Sequence, residues 1–270
     1  MFRADLHCHT TFSDGTMTVR EVLELAKQVG LSGLSITDHD TVDAYGEAPP
    51  IAKELGLLLG AGVEFSSIFR KMSVHILCYD YYLDSPAIKA LCERHKKRRT
   101  ERNKRILEKL TRLSMPILED ELFAMGERTL GRPHIAHLMV QKGYVPTIRH
   151  AFNLYIGDGK PCFDPGEGIS TEETLAIIKE AGGKSFLAHP HLLEHASRIK
   201  ELLKLPFDGI ECHYAKLNPD QERRWVKIAT EKGILISGGS DYHGSVKEHN
   251  PLGCSWVGEE TFHRIFERPL

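Results

Sequence analysis

The sequence predicts an α/β fold, a distorted (β/α) barrel of about seven strands with an inserted helical cap. Three observations carry this. Short apolar strand-like runs alternate with amphipathic helical runs over residues 1–84 and again after residue 157. Between them, residues 85–156 read as helical throughout, which breaks the alternation. Histidines and carboxylates gather where the strand-like runs stop. The same alternation also fits a doubly wound open sheet, so that architecture stays open.

The elements follow in order. Residues 2–7 form a strand, and Thr18 caps a helix with Val22, Leu25, Ala26 and Val29 on its apolar face, ended by Gly30. Residues 33–37 form a second strand. A helix over 43–55 must hold Pro49 and Pro50 near its start or bend around them. Residues 57–65 and 73–79 are the next strands. A long helix runs from Ser85 to about Leu113, helical pieces continue to about Tyr155, and 157–168 is a Gly/Pro-rich loop. Ser170 and Glu173 form a capping box for a helix over 171–181. Strands at 184–188, 207–212 and 234–237 complete the set, with Asn218 and Pro219 opening a helix between the last two. The expected domains are therefore a barrel from 1–84 and 157–270 and a cap from 85–156. A chain of 270 residues is long enough for one large domain with a small insertion.

Composition excludes several classes. The formal net charge of −2 argues neither for nor against a polyanionic partner. Cys8, Cys78, Cys92, Cys162, Cys212 and Cys254 are scattered singly, which argues against a disulfide framework or a Cys-rich zinc site. No apolar run reaches membrane-spanning length, and MFRADLHCH lacks an apolar signal region, so a cytoplasmic protein without a membrane partner is expected.

Histidine is the unusual residue, with 15 in all. His7 and His9 close the first strand at a spacing that points both imidazoles to one side. Asp14 follows in FSDG, His39 closes the second strand in TDHD, and Glu64 closes the third in GVEF. His75 lies in the fourth, His189 closes the fifth in AHP, and Asp241 and His243 follow the seventh in SDYH. These imidazoles and carboxylates are too many for one ion and suit two or three divalent ions. A thiolate-free N/O set favours Mn, Zn or Fe over Ca. Glu64 is the carboxylate chosen to bridge two ions. Asp40, beside His39, either orients an imidazole or caps a helix.

The motifs DLHCHTTFSDG, ITDHDT, GVEFS, the His75 segment, AHP and GSDYH, spanning residues 5–244, together resemble the PHP (polymerase and histidinol phosphatase) family. The resemblance implies a distorted seven-stranded barrel and a centre of two or three metal ions. It puts His7, His9, Glu64 and Asp241 on one ion, Glu64, His75 and His189 on a second, and Asp14, His39 and His243 on a third. The implied chemistry is phosphoester hydrolysis by a metal-bridged hydroxide. FSDG and the helical insertion resemble the subgroup acting on 3′,5′-bisphosphonucleotides such as pAp or on short oligonucleotides from the 5′ end. A phosphatase of a small metabolite such as histidinol phosphate is the alternative, although that group carries a CPHG-like loop. A non-catalytic metal-binding domain is the second alternative.

The insertion carries the basic run RHKKRRTERNKR. Its apolar stripe, Ile88, Leu91, Ile106, Leu110 and Leu113, is interrupted in the middle by His95, Arg99 and Arg102. An inward face that turns basic must meet either a substrate phosphate or an internal carboxylate. In GRPHIA, Pro133 suits a first helical turn, which sets Arg132 and His134 at a helix N-terminus as anion contacts, and the resemblance points to the same pair. His213, ending the sixth strand in IECH, is expected at the pocket mouth. His137, His150, His191, His195, His249 and His263 are read as surface or core. With neither strong basicity nor a row of aromatics, a short phosphorylated substrate is expected and a stable long nucleic-acid partner is not.

Overall fold

The computed structural model describes residues 1–126, 129–193 and 196–270. The chain opens with β1 (Ala4–Cys8), buried throughout, and α1 (Val19–Gln28). Thr18 and Glu21 form a reciprocal capping box at the start of α1, which buries Val19, Val22, Leu23 and Ala26. The strand β2 (Gly33–Ile36) runs parallel to β1. The single helix expected over 43–55 is instead a 3₁₀ turn at Asp43–Gly46 followed by α2 (Ala48–Leu55). Pro49 and Pro50 fall in the first turn of α2, where a missing N–H costs nothing. The two-residue strand β3 (Leu58–Leu59) completes a first sheet of order β1-β2-β3.

A second sheet has the order β4 (Gly62–Phe69), β5 (Met72–Tyr79), β6 (Lys184–Leu187), β7 (Gly209–Tyr214) and β8 (Leu235–Gly239). The run 57–65 is thus two strands in different sheets. β5 is antiparallel to both β4 and β6, which corrects the expectation of a wholly parallel arrangement. The cause is local. Arg70 and Lys71, at φ 47° and 68°, make a two-residue turn whose positive φ angles match the twist of a hairpin.

Among the described residues there are eight strands in two sheets, neither of them closed. The sheets meet at two seams. At one, His39 bridges Glu64, and the Asp40 N–H donates to the Glu64 carbonyl at 2.9 Å. At the other, Cys8 bridges Tyr242, the Asp241 N–H donates to the His7 carbonyl at 2.8 Å, and the His9 N–H donates to the Tyr242 carbonyl at 2.9 Å. Residues singled out for their chemistry therefore lie on the seams.

The described part of residues 85–156 is mainly helical. α3 (Pro86–Arg112), capped by Ser85, is followed by α4 (Glu119–Phe123), α5 (Arg132–Gln141), α6 (Ile148–Ala151) and a π-helical turn at Phe152–Ile156. Ile106, Leu107 and Leu110 of α3 pack with Ile135, Met139 and Ile156 in a cluster of their own, while Ile88 and Leu91 join the main core around Phe65, Val74 and Ile76. Leu113, expected on the buried stripe, lies past the end of α3 and is exposed. α7 (Thr171–Glu180), α8 (Ala196–Leu202), α9 (Pro219–Lys232) and α10 (Glu259–Ile265) complete the chain. No described helix is long and apolar enough to cross a membrane.

β1 and β8 approach closely at Gly239. A Cβ there would lie 2.4 Å from the His7 backbone nitrogen and 2.5 Å from the His7 Cβ. Gly239→Ala must push β1 and its imidazoles outward. We expect it to cost about 1–3 kcal/mol in urea unfolding, whereas wild-type stability would show that the seam yields freely.

Candidate metal centre

His7 and His9 leave the end of β1 on one side, as alternation along a strand requires. Glu64 does not close its strand, since β4 runs on to Phe69. It sits beside His39 because the seam pairs them. His75 lies near the start of β5, opposite Ser66, and the reversed direction of β5 brings that start to the edge where β1 and β2 end. His189 and Asp241 follow their strands in tight left-handed turns, at φ 29° and 53°.

The result is one buried cup. His7 Nε2 lies 3.3 Å from Glu64 Oε2 and 3.4 Å from Asp241 Oδ1, and His9 Nε2 lies 3.2 and 3.4 Å from the same two atoms. None of these four buried atoms makes a hydrogen bond among the described residues. An ion about 2.0–2.1 Å from four tetrahedral donors would space them about 3.3–3.4 Å apart. The four imidazole–carboxylate distances match that spacing and all four atoms lie within 4.8 Å of one another, so the donor set fits a divalent ion of the Zn, Mn or Fe type.

Around the other oxygen of Glu64, His75 Nδ1 and His189 Nε2 each lie at 2.9 Å. His39 stands between groups, with Nδ1 3.0 Å from Glu64 Oε2 and Nε2 3.8 Å from Asp14 Oδ2. Asp14 Oδ1 is 3.3 Å from His243 Nε2 and 3.8 Å from His9 Nδ1. Three overlapping groups able to hold an ion result: His7, His9, Glu64 and Asp241; His39, Glu64 and His75; and His9, Asp14, His39 and His243. All nine residues singled out in the sequence thus come together. His9 and His39 each enter two of these groups, whereas the sets that the resemblance implied shared only Glu64.

Charge in the cup is balanced between carboxylates and imidazoles. Burial works to lower the His7 imidazole, but Glu211, Glu64 and Asp241 outweigh it and hold it well above its ordinary value. Burial is likewise outweighed at His9, chiefly by Asp241 and Glu64, which raise it to about 9. Burial instead prevails at His39 and His243, which are lowered. Glu64 is held well below the usual carboxylate range because His39, His7 and His75 outweigh the effect of burial.

Several supporting residues escaped the sequence reading. The Tyr214 hydroxyl and Lys247 Nζ donate to Asp241 Oδ2 at 2.7 and 2.6 Å, leaving Oδ1 aimed into the cup. Asp38 accepts from Thr10 and Ser13 and fixes the loop that carries Asp14. Glu211 meets His7 Nδ1 at 2.8 Å. Its signal lay in IECH, where Glu211 and His213 share strand parity, but an irregularity between them turns Glu211 inward. His213 Nδ1 meets Glu222 of α9 at 2.8 Å and does not line the cavity, which corrects its expected place at the mouth.

Asp40 is corrected on both readings. The 3₁₀ turn begins after Val42, and the Asp40 carboxylate accepts from Ser66 N, Ser66 Oγ and Arg99 Nε at 2.7, 3.0 and 2.7 Å, with His95 beside it. It orients none of the clustered imidazoles. The internal carboxylate thus accounts for Arg99 and His95, but not for Arg102. Arg102 is buried, and neither it nor Arg98 has a hydrogen-bond or ion-pair partner among the described residues. Burial lowers both guanidiniums, with the Arg99 and Arg132 charges adding to the effect. Both line a cavity of about 640 Å³ that also reaches Asp14, His39, His75 and Arg132. Arg132 faces the Asp158 carboxylate and lies against the rings of Phe152 and Phe163. His134 does not line the cavity. Its Nδ1 accepts the Gly131 N–H at 3.1 Å and caps α5. His191 packs on Tyr214, and His195 lies outside the described residues.

The PHP domain profile matches residues 5–141. A 5′-3′ exoribonuclease of Haemophilus influenzae is 31% identical over 94% of this chain and 91% of its own length. A 3′,5′-nucleoside bisphosphate phosphatase of Chromobacterium violaceum is 29% identical over 90% of this chain and 88% of its own. A solved structure described as a candidate metal-dependent phosphoesterase from Bifidobacterium adolescentis superposes with a TM-score of 0.88 and 34% identity, covering 99% of this chain and 96% of that one. The chain belongs to the PHP domain family.

Metal binding must displace the protons that His7 and His9 hold in the ion-free cup. Because His9 stays protonated up to about pH 9, affinity should rise with pH below that point. The expected slope is about tenfold per pH unit for each proton displaced. Calorimetric titration with Mn or Zn in buffers of different ionisation enthalpy measures this, and uptake without proton release would contradict it.

Proposed function

We propose that the chain is a metal-dependent phosphoesterase acting on nucleotides, hydrolysing 3′,5′-bisphosphonucleotides such as pAp, short oligonucleotides, or both. The reading rests on one juxtaposition: a cup of orphaned metal-type donors opens into a cavity lined by two guanidiniums without anionic partners. A substrate with one phosphate at the cup and a second negative group some way off would answer both features. Two or three ions of the Mn, Zn or Fe type are proposed, on His7, His9, Asp14, His39, Glu64, His75, His189, Asp241 and His243. The two sheets are read as the family's distorted barrel, and residues 85–156 as a cap over its mouth.

When bound, such ions activate water near neutral pH and neutralise phosphate oxygens. The residues of the chain do the rest. Glu64 presents one oxygen to His7 and His9 and the other to His75 and His189, so it is placed to hold neighbouring ions together. Tyr214 and Lys247 keep Asp241 turned so that one oxygen faces the cup. Arg102 and Arg98 would take the second phosphate, with Arg132 beside them. Arg99 is held by Asp40 and would stiffen that wall instead of meeting substrate.

A phosphate-release panel of pAp, AMP, histidinol phosphate and a five-nucleotide RNA tests the reading. Turnover of pAp or RNA well above the other two is expected, and preference for histidinol phosphate would make the chain a metabolite phosphatase. Asp241→Ala should lower turnover by orders of magnitude with the fold intact. Arg102→Met should raise KM for pAp by about 10- to 100-fold, as loss of a charged hydrogen bond worth about 1.5–3 kcal/mol implies, and change KM for p-nitrophenyl phosphate little. Equal effects on both substrates would remove Arg102 from the second subsite.

A further inference from the structure

Glu211 is fully buried on β7, a strand that supplies none of the nine clustered residues. Its two oxygens go to two different places. Oε1 meets His7 Nδ1 at 2.8 Å, and Oε2 accepts the backbone N–H of His189 at 2.6 Å. The first contact keeps a proton on His7 Nδ1, so Nε2, which faces Glu64 and Asp241, is the nitrogen that would be offered to an ion. The second holds His189 at φ 29° and ψ 57°, a sparsely populated backbone conformation that persists only under constraint. From that conformation His189 Nε2 reaches Glu64 Oε1 at 2.9 Å. By contrast, among the nine clustered residues the Tyr214 hydroxyl and Lys247 Nζ donate only to Asp241.

We propose that Glu211 is a positioning residue shared by two neighbouring ion sites, orienting His7 for one and His189 for the other, so that filling either site favours filling its neighbour. The inference rests on the metal-centre reading above. An ion on His7 Nε2 strengthens the Nδ1–H donor and fixes the Glu211 carboxylate. A fixed carboxylate in turn holds the His189 peptide where the second ion needs it. Such coupling is reciprocal.

Glu211→Gln separates this from simple packing. The amide has nearly the same size but one acceptor oxygen. If that oxygen serves the His189 N–H, the NH2 faces His7 Nδ1 and drives the proton onto Nε2, where it blocks the ion. If it serves His7, the NH2 opposes the His189 N–H. Either orientation should weaken both sites. Glu211→Asp, which keeps the charge but is too short to span both partners, is measured alongside.

The experiment counts Mn and Zn per chain by elemental analysis while a chelator is raised in steps. The step missing in His189→Ala marks the second ion. Both Glu211 variants should lose the first and second ions at affinities about 10- to 100-fold weaker than wild type, and Tyr214→Phe, which removes a donor to Asp241 only, should weaken the first ion more than the second. Wild-type affinity at either step in both Glu211 variants overturns the coupling while leaving the metal centre standing. A wild-type chain that takes up no ion overturns both.

Discussion

The carboxylate of Glu64 is fully buried, and the nitrogens of His7, His9, His39, His75 and His189 all lie within 3.3 Å of its oxygens. A buried carboxylate is costly unless positive charge is brought to it. Here five imidazoles arrive from four segments of chain, which explains why the two sheets must meet where they do. The His39–Glu64 seam sets one side of the cup, and the Cys8–Tyr242 seam sets the other. Protons on the imidazoles can meet part of the demand, but a divalent ion meets it with better geometry.

The same logic orders what surrounds the cup. Asp241 is held by Tyr214 and Lys247, His7 and His189 by Glu211, and the Asp14 loop by Asp38. Each supporting group leaves one donor atom bare and pointed inward. On the cavity side the charge is reversed. Asp40 satisfies Arg99, but Arg98 and Arg102 are left without acceptors. With ions in the cup, an anion that reached from them to these guanidiniums would meet positive charge at both ends, and nucleotides with two phosphate groups have that shape.

Much of this was legible in the sequence because the relevant signals are local. Strand parity placed His7 and His9 together, and strand ends gathered His39, His189 and Asp241. The capping residues Thr18, Ser85, Ser170 and Asn218 fixed helix starts. What was not legible depended on distant partners. The Arg70–Lys71 turn reverses β5, and nothing short of the hairpin's own twist announces that. His213 and Glu211 share parity in IECH, and only the irregularity in β7 decides which faces inward. Asp40 looked like a neighbour of a metal ligand, yet its carboxylate turns to Ser66 and Arg99, a residue 59 positions away. Lys247 and Tyr214 carry no motif at all, since their role exists only once the chain has closed.

The central claim is that four orphaned atoms, on His7, His9, Glu64 and Asp241, form a tetrahedral metal site. Crystals grown with Mn or Zn and measured on either side of the metal's absorption edge test it directly. An anomalous peak equidistant from those four atoms is expected, with Glu64 also within reach of a second ion. A peak elsewhere, or no peak among the four atoms at saturating metal, would contradict it.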